Sequence, residues 1–211
     1  MTIGNPEIIK CPSCKMLQQR TTLNSGNTIG ARYYSDGKCI APMLPEFPFL
    51  IKCPKCGIFF KITEKVIVRK RFDFSKQNRD IPHVKFMTVE ELQQAIDTGL
   101  YNGDKNDIMH LRLLLWRTSN DSVRNSRKDS SESEDKKAAY EHNCREILSF
   151  FENDDDDERL LMRSEMHRNI GEFDKCKDLL AKIKEAETYK KYISFIDKAC
   201  DEENIFTGLV E

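Results

Sequence analysis

Two short cysteine pairs constrain this chain more than any other feature. They are Cys11-Pro12-Ser13-Cys14 and Cys53-Pro54-Lys55-Cys56, the second followed by Gly57. A C-x-x-C unit turns the backbone tightly enough to present both sulfurs on one side. Two such knuckles can close a tetrahedron of thiolates around one metal ion, with Zn–S distances of about 2.3 Å. Gly57 suits the turn after its knuckle, where backbone N–H groups can donate to sulfur. The other four cysteines, Cys39, Cys144, Cys176 and Cys200, are scattered. In a secreted chain an even count would suggest disulfides, but MTIGNPEIIK lacks the charged, apolar and cleavage regions of a secretory signal. No apolar run approaches the roughly 20 residues that cross a bilayer. The expected setting is therefore the cytoplasm, without membrane contact. In a reducing compartment the pairs read as a metal site whose ligands are Cys11, Cys14, Cys53 and Cys56. The expected ion is one structural Zn²⁺ per chain, with iron as the alternative because tetrathiolates accept either metal. Lys10, Lys15, Lys52 and Lys55 flank the knuckles and would offset the negative charge of the thiolates.

The gap from Cys14 to Cys53 holds 38 residues, so an insertion must fill it. Arg32 to Ile40 reads as a β-hairpin, with Asp36-Gly37 suited to a type I′ turn. Pro42, Pro45 and Pro48 then exclude a helix and oppose a central strand. Ile58–Ile62 and Val66–Val68 are strand candidates. Residues 1–75 thus form a small β module, of a size at which a metal supplements a thin core. A redox-active C-x-x-C would need a strand-to-helix junction, and Pro48 to Phe60 reads as extended instead. Cys39 is either a spare ligand or a small hairpin residue, and the four paired cysteines favour the latter. Tyr33, Tyr34, Phe47 and Phe49 lie among cations. They either form a small core or stack nucleobases.

Beyond a linker at 76–86 the periodicity becomes helical, and residues 87–211 read as an all-α domain. Thr88-Val89-Glu90-Glu91 is a capping box, and Gly99 marks the end of its helix. Asn106–Thr118 is apolar nearly all round, which implies burial on more than one face. His110 within it lacks clustered partners and reads as a core or boundary imidazole. Ser122–Lys137 is polar and reads as a loop. Tyr140, Cys144, Ile147, Leu148 and Phe151 recur at helical spacing. Asn153 to Asp157 is acidic, but it lacks the alternating ligands and central glycine of a calcium loop, so helix capping is expected there. Tyr189, Tyr192, Ile193, Ile196 and Cys200 make a last amphipathic helix.

Charge divides along the chain. Residues 1–85 carry 15 Lys+Arg and 6 Asp+Glu, and residues 86–211 carry 19 and 29. Such a division fits two modules with different surfaces. It allows either that oppositely charged halves dock or that the basic half meets nucleic acid.

The knuckles at Cys11–Cys14 and Cys53–Gly57 resemble those of zinc ribbons and of rubredoxins, with Lys15 where a rubredoxin usually has glycine. The segment Leu160–Ile183 resembles a tetratricopeptide helix–turn–helix. Leu160 opens the pattern, Ser164 fills the small slot, His167 the aromatic slot and Gly171 the turn. Phe173 follows, and Cys176 stands in a slot usually held by alanine. In layout the chain is similar to bacterial proteins that join a paired-CPxC zinc ribbon to a tetratricopeptide-like helical domain. The fold class expected is α+β: a zinc-ribbon module with an inserted hairpin, then helices. The resemblance implies no known reaction. A closed four-sulfur site leaves no open coordination position, and no phosphate loop, H-E-x-x-H or nucleophile elbow is present. The function expected is non-enzymatic, with no catalytic residue. A helical surface would take a protein or peptide partner, and the alternative is nucleic-acid binding through the basic half.

Overall fold

The computed structural model describes residues 1–69, 81–100, 104–124 and 133–210. The strands are β1 (Thr2–Ile3), β2 (Glu7–Lys10), β3 (Leu17–Arg20), β4 (Leu23–Ser25), β5 (Arg32–Tyr33), β6 (Cys39–Ile40), β7 (Leu50–Lys52), β8 (Phe59–Lys61) and β9 (Ile67–Arg69). The helices are α1 (Val89–Asp97), α2 (Lys105–Ser119), α3 (Asp121–Arg124), α4 (Glu134–Phe150), α5 (Asp157–Asn169), α6 (Phe173–Leu180) and α7 (Lys190–Asp201). Small antiparallel sheets in the N-terminal half and helices in the C-terminal half make the fold α+β. The chain forms two compact units. One comprises Met1–Ala31 with Ile40–Leu100, the other Arg32–Cys39 with Tyr101–Glu211. The units are therefore not contiguous in sequence: the hairpin segment belongs with the helices, and α1 belongs with the strands.

In the first unit β2 lies between β3 and β9, antiparallel to both. Glu7 faces Arg20 across the β2–β3 pair, and their side chains meet at 2.5 Å. Adjacent Ile8 and Ile9 are both buried, so β2 is covered on both faces. β7 and β8 form a second antiparallel pair, and β1 and β4 a third. Ile9, Ile51 and Phe60 pack with Cys11 and Cys53 in one small core. The segment expected as a linker is outside the described residues up to residue 80. From Ile81 it is part of the sheet: the Gln19 amide donates to Pro82 O, and the Val84 amide to Gln19 O, each at 2.9 Å. Of the basic stretch 65–71, β9 takes Ile67–Arg69, and residues 70 and 71 lie outside the described residues. α1 begins at the expected capping box, with Thr88 and Glu91 each satisfying the other's amide. It ends in a Schellman motif, with the Gly99 amide on Ile96 O and the Leu100 amide on Ala95 O. Leu92 and Ala95 bury its inner face.

Among the described residues of the second unit, two apolar clusters join the helices. Trp116, Cys144, Ile147, Phe151 and Met166 join α2, α4 and α5. Leu160, Cys176, Leu179, Leu180, Ile183, Ile196 and Cys200 join α5, α6 and α7. α5 contributes to both clusters. Ser164 is fully buried, and its hydroxyl returns to Leu160 O at 2.8 Å, which removes its only polar obligation in the core. α2 is apolar on several sides as expected, with Trp116 fully buried, whereas His110 is exposed. The polar 122–137 segment begins inside α3 and ends inside α4, and residues 125–132 lie outside the described residues. The acidic run does cap α5: Asp156 accepts from the Glu158 amide. Asp157 does something more, accepting from the Lys184 and Glu185 amides at 3.1 and 2.8 Å and so fixing the turn after α6.

The hairpin turn departs from expectation. Gly37 has φ of +74°, but Asp36 is not among the positive-φ residues, so the turn is not type I′. The Gly37 amide donates to Tyr34 O at 2.8 Å, and the Tyr34 amide to Lys38 O at 2.9 Å, which is a type I turn closed by a left-handed glycine. Asp36 explains the choice. Its carboxylate is buried and accepts from the Lys38 amide, from Asn120 Nδ2 at 3.0 Å and from the Arg124 guanidinium. Ser35 is buried as well, and its hydroxyl donates to Glu165 Oε1 at 2.7 Å. Glu165 is itself paired with Arg168, both side chains being fully buried. Arg168 donates to the carbonyls of Asn204 and Phe206. The C-terminal segment also pairs with the hairpin: the Ser35 amide donates to Gly208 O, and the Val210 amide to Tyr33 O. One continuous polar network thus holds the hairpin and the C-terminus to the helices.

Candidate metal centre

Both knuckles are built by the same two backbone hydrogen bonds, spanning six residues each. In the first, the Lys15 amide donates to Cys11 O at 3.1 Å, and the Cys11 amide to Met16 O at 2.9 Å. In the second, the Gly57 amide donates to Cys53 O and the Cys53 amide to Ile58 O, each at 2.8 Å. Gly57 turns the chain at φ of +77° and Lys15 at +63°. The lysine at the glycine position therefore adopts the glycine conformation. Left-handed backbone costs a non-glycine residue about 1–2 kcal/mol, which the closed hydrogen bonds of the knuckle must offset. Lys15 Nζ folds back onto Pro12 O at 2.5 Å.

The knuckles bring all four expected ligands together. Cys11, Cys14, Cys53 and Cys56 offer sulfurs that all lie within 4.8 Å of one another. Cys11 Sγ is 3.7 Å from Cys56 Sγ, and Cys14 Sγ is 3.5 Å from Cys53 Sγ. Four sulfurs at about 2.3 Å from a central ion would stand about 3.8 Å apart, so the cluster has the dimensions of a tetrathiolate site. Cys11 and Cys53 are buried in the small core, Cys14 is half-buried and Cys56 is exposed. The Met16 and Ile58 amides donate to the sulfurs of Cys14 and Cys56. The Ile58 amide foremost, with help from the other three sulfurs, pulls Cys56 down to about 6 against burial. At Cys14 the Met16 amide pulls the same way, but burial and the sulfurs of Cys53, Cys56 and Cys11 push the thiol up to about 11. Four thiols so close cannot all ionise unaided, and a cation among them is the usual remedy.

The flanking lysines divide. Lys10, Lys15 and Lys55 are exposed. Lys52 is drawn to α1 instead, with Nζ 3.1 Å from Gln94 Oε1 and 3.7 Å from Glu91 Oε1, and over the Phe59 ring. Cys39 lies half-buried in β6 and is outside the sulfur cluster. Of the four histidines, His83, His110 and His142 are exposed, and His167 Nδ1 pairs with Glu172 at 2.6 Å. The aromatic group also separates. Tyr34 is buried in the helical unit with its ring against Arg124, Tyr33 is exposed, and Phe47 and Phe49 are half-buried in the first unit. Sequence reading anticipated amide donation to sulfur at the Gly57 knuckle, but missed its counterpart at Met16 and the left-handed Lys15. The shared spacing of the two knuckles was the available signal for both.

No family model, no curated protein and no solved structure matches this chain. The likeness to zinc ribbons and tetratricopeptide repeats therefore rests on the knuckle residues and on 160–183 alone. Among the described residues no helix is long and apolar enough to cross a membrane.

Proposed function

We propose that the chain is a non-enzymatic, zinc-stabilised interaction protein. The observation that carries the reading is the four-sulfur cluster, with S···S spacings of 3.5 and 3.7 Å within a set no wider than 4.8 Å. A bound zinc ion would supply charge neutralisation and a cross-link between two knuckles 42 positions apart in sequence. All four ligand positions would be taken by protein, so the ion would be structural. The helical unit would offer its repeat-like surface to a protein or peptide. In support, α5 and α6 form a hairpin turned at Gly171, with Ser164 fully buried and α7 packed with both in one apolar cluster. Elemental analysis of the purified protein should find one zinc per chain. Less than half an equivalent, without chelator, overturns the metal reading, and iron in its place turns it toward a rubredoxin-like centre. Affinity capture with the metal-loaded chain tests the interaction role: a correctly folded chain that enriches no protein speaks against it.

A second reading has one specific support. Beside the first knuckle is a cleft lined by Lys10, Lys15 and Lys65, with Pro12, Thr63 and Val68. Cations around a groove suit a phosphate backbone. However, the basic excess is smaller when counted by compact unit. The first unit carries 13 Lys+Arg against 8 Asp+Glu, because Arg32 and Lys38 go with the hairpin and the acids of α1 stay with the strands. Fluorescence anisotropy with single- and double-stranded oligonucleotides at low salt decides it. Binding that weakens steeply with salt supports nucleic acid, and none at low salt removes it.

A further inference from the structure

Cys176 and Cys200 stand apart from the metal site and do something the repeat pattern does not require. Their sulfurs are 3.2 Å apart, inside the sum of their van der Waals radii, in the core between α6 and α7. A disulfide bond is about 2.05 Å long, so the sulfurs need to close by only about 1.2 Å. The pair spans 24 residues of chain. Cys176 is fully buried, but Cys200 also lines a cleft between the start of α6 and the end of α7. Cys200 is 4% exposed but is one of the residues lining the cleft, and the Cys176 sulfur lies 3.2 Å from its own. We propose that Cys176 and Cys200 form a reversible dithiol–disulfide couple, oxidised through the cleft by a small neutral disulfide.

The order of events follows from access. The Cys200 thiolate attacks one sulfur of the small disulfide. That S–S bond breaks, one thiol leaves, and Cys200 carries a mixed disulfide. Cys176 then loses its proton to solvent and attacks Cys200 Sγ, expelling the second thiol. The protein gives up two electrons and two protons, and the small disulfide is reduced to two thiols. The cleft selects against anions: Glu172, Asp174, Asp201 and Glu203 outnumber Lys175 and Lys177, and those lysines are already paired with Glu172 and Asp201. Burial pushes both thiols up, which makes the first attack slow and protects the pair from chance oxidation. The product would tie α7 to α6 and raise the stability of the helical unit.

The test uses the full metal-loaded chain and hydroxyethyl disulfide. After exposure, free thiols are alkylated and the protein is digested and mapped without reduction. The expected product is a peptide cross-linked between Cys176 and Cys200, with two hydrogens lost per chain and a melting temperature above that of the reduced protein. A reductant should reverse both changes. Cys176→Ala and Cys200→Ala should each abolish the cross-link and the rise. The alanine at 176 suits a slot that holds alanine in the resembling repeats. Recovery of both cysteines as free thiols, while half-buried Cys39 has reacted, overturns the proposal. So does a reaction that stops at a mixed disulfide on Cys200, or a cross-link that forms only in denaturant.

Discussion

The two units of this chain solve the problem of a small core in opposite ways. The strand unit gathers short strands, the longest of four residues among those described, around a few apolar side chains, and two of its buried positions are cysteines of the sulfur cluster. The helical unit fills two apolar clusters and then buries charge as well: Arg124 with Asp36, and Arg168 with Glu165. In the first unit the four-cysteine cluster could add a metal ion to that small core. In the second the buried charges are met by the side chains of Ser35 and Asp36 and largely by backbone carbonyls of 204–208. The lesson concerns what a substitution can break. Loss of one thiol would remove the metal cross-link proposed between the knuckles, whereas loss of one buried charge takes a partner from a buried ion but leaves the apolar clusters in place.

The largest effect should come from Cys53→Ser. Structural zinc sites bind with about 10–16 kcal/mol in small peptides, more than a module of this size holds in reserve. Metal content should fall to background, and the strand unit should become sensitive to protease. The helical circular dichroism should largely persist. If the helices melt with the strands, the two units are one cooperative body.

Asp36→Ala should leave the metal in place and destabilise the helical unit by about 3 kcal/mol, because it removes the buried carboxylate from the Arg124 guanidinium and leaves it only the more exposed Asp121. Denaturant unfolding followed by Trp116 fluorescence measures it, since Trp116 lies in that unit's core. The same logic predicts that a fragment beginning at residue 87 is markedly less stable than the helical unit of the full chain, because it lacks Ser35 and Asp36.

Lys15→Gly should stabilise the strand unit by about 1 kcal/mol, by relieving left-handed strain at φ of +63°. Gly57→Ala should destabilise it by a similar amount. Metal retention against a competing chelator reads both. Opposite signs at matched positions would establish that the knuckles are equivalent in energy as well as in geometry.

The smallest effect concerns Glu172, whose carboxyl is held down to about 2. Burial opposes this, and hydrogen bonds from His167, Lys175 and Arg145 outweigh it. A depressed carboxylate contributes stability above its unfolded value near 4.5 and loses it as pH falls from there toward about 2. Glu172 is partly exposed, so the contribution is about 1 kcal/mol. Glu172→Gln should lower helical-unit stability by that amount at neutral pH and converge with the parent at about pH 2. Denaturant midpoints across that range check it.

Most of the local structure was legible in the chain itself. Paired C-x-x-C units dictated a cluster of four sulfurs because a knuckle is a short-range object, and residues three apart in a tight turn must share a side. The capping box at Thr88, the helical spacing of Tyr140 to Phe151 and the turn at Gly171 were readable for the same reason. Tertiary structure alone decided which unit each piece joins. Residues 32–39 look like an insertion in a ribbon, yet Ser35 and Asp36 are bound by Glu165, Asn120 and Arg124, some 84 to 130 positions away. α1 looks like the first helix of the helical domain, yet its Gln94 and Glu91 are bound by Lys52. Periodicity reports which face of an element is apolar, but a buried charge finds its partner through space, and no spacing along the chain encodes that choice.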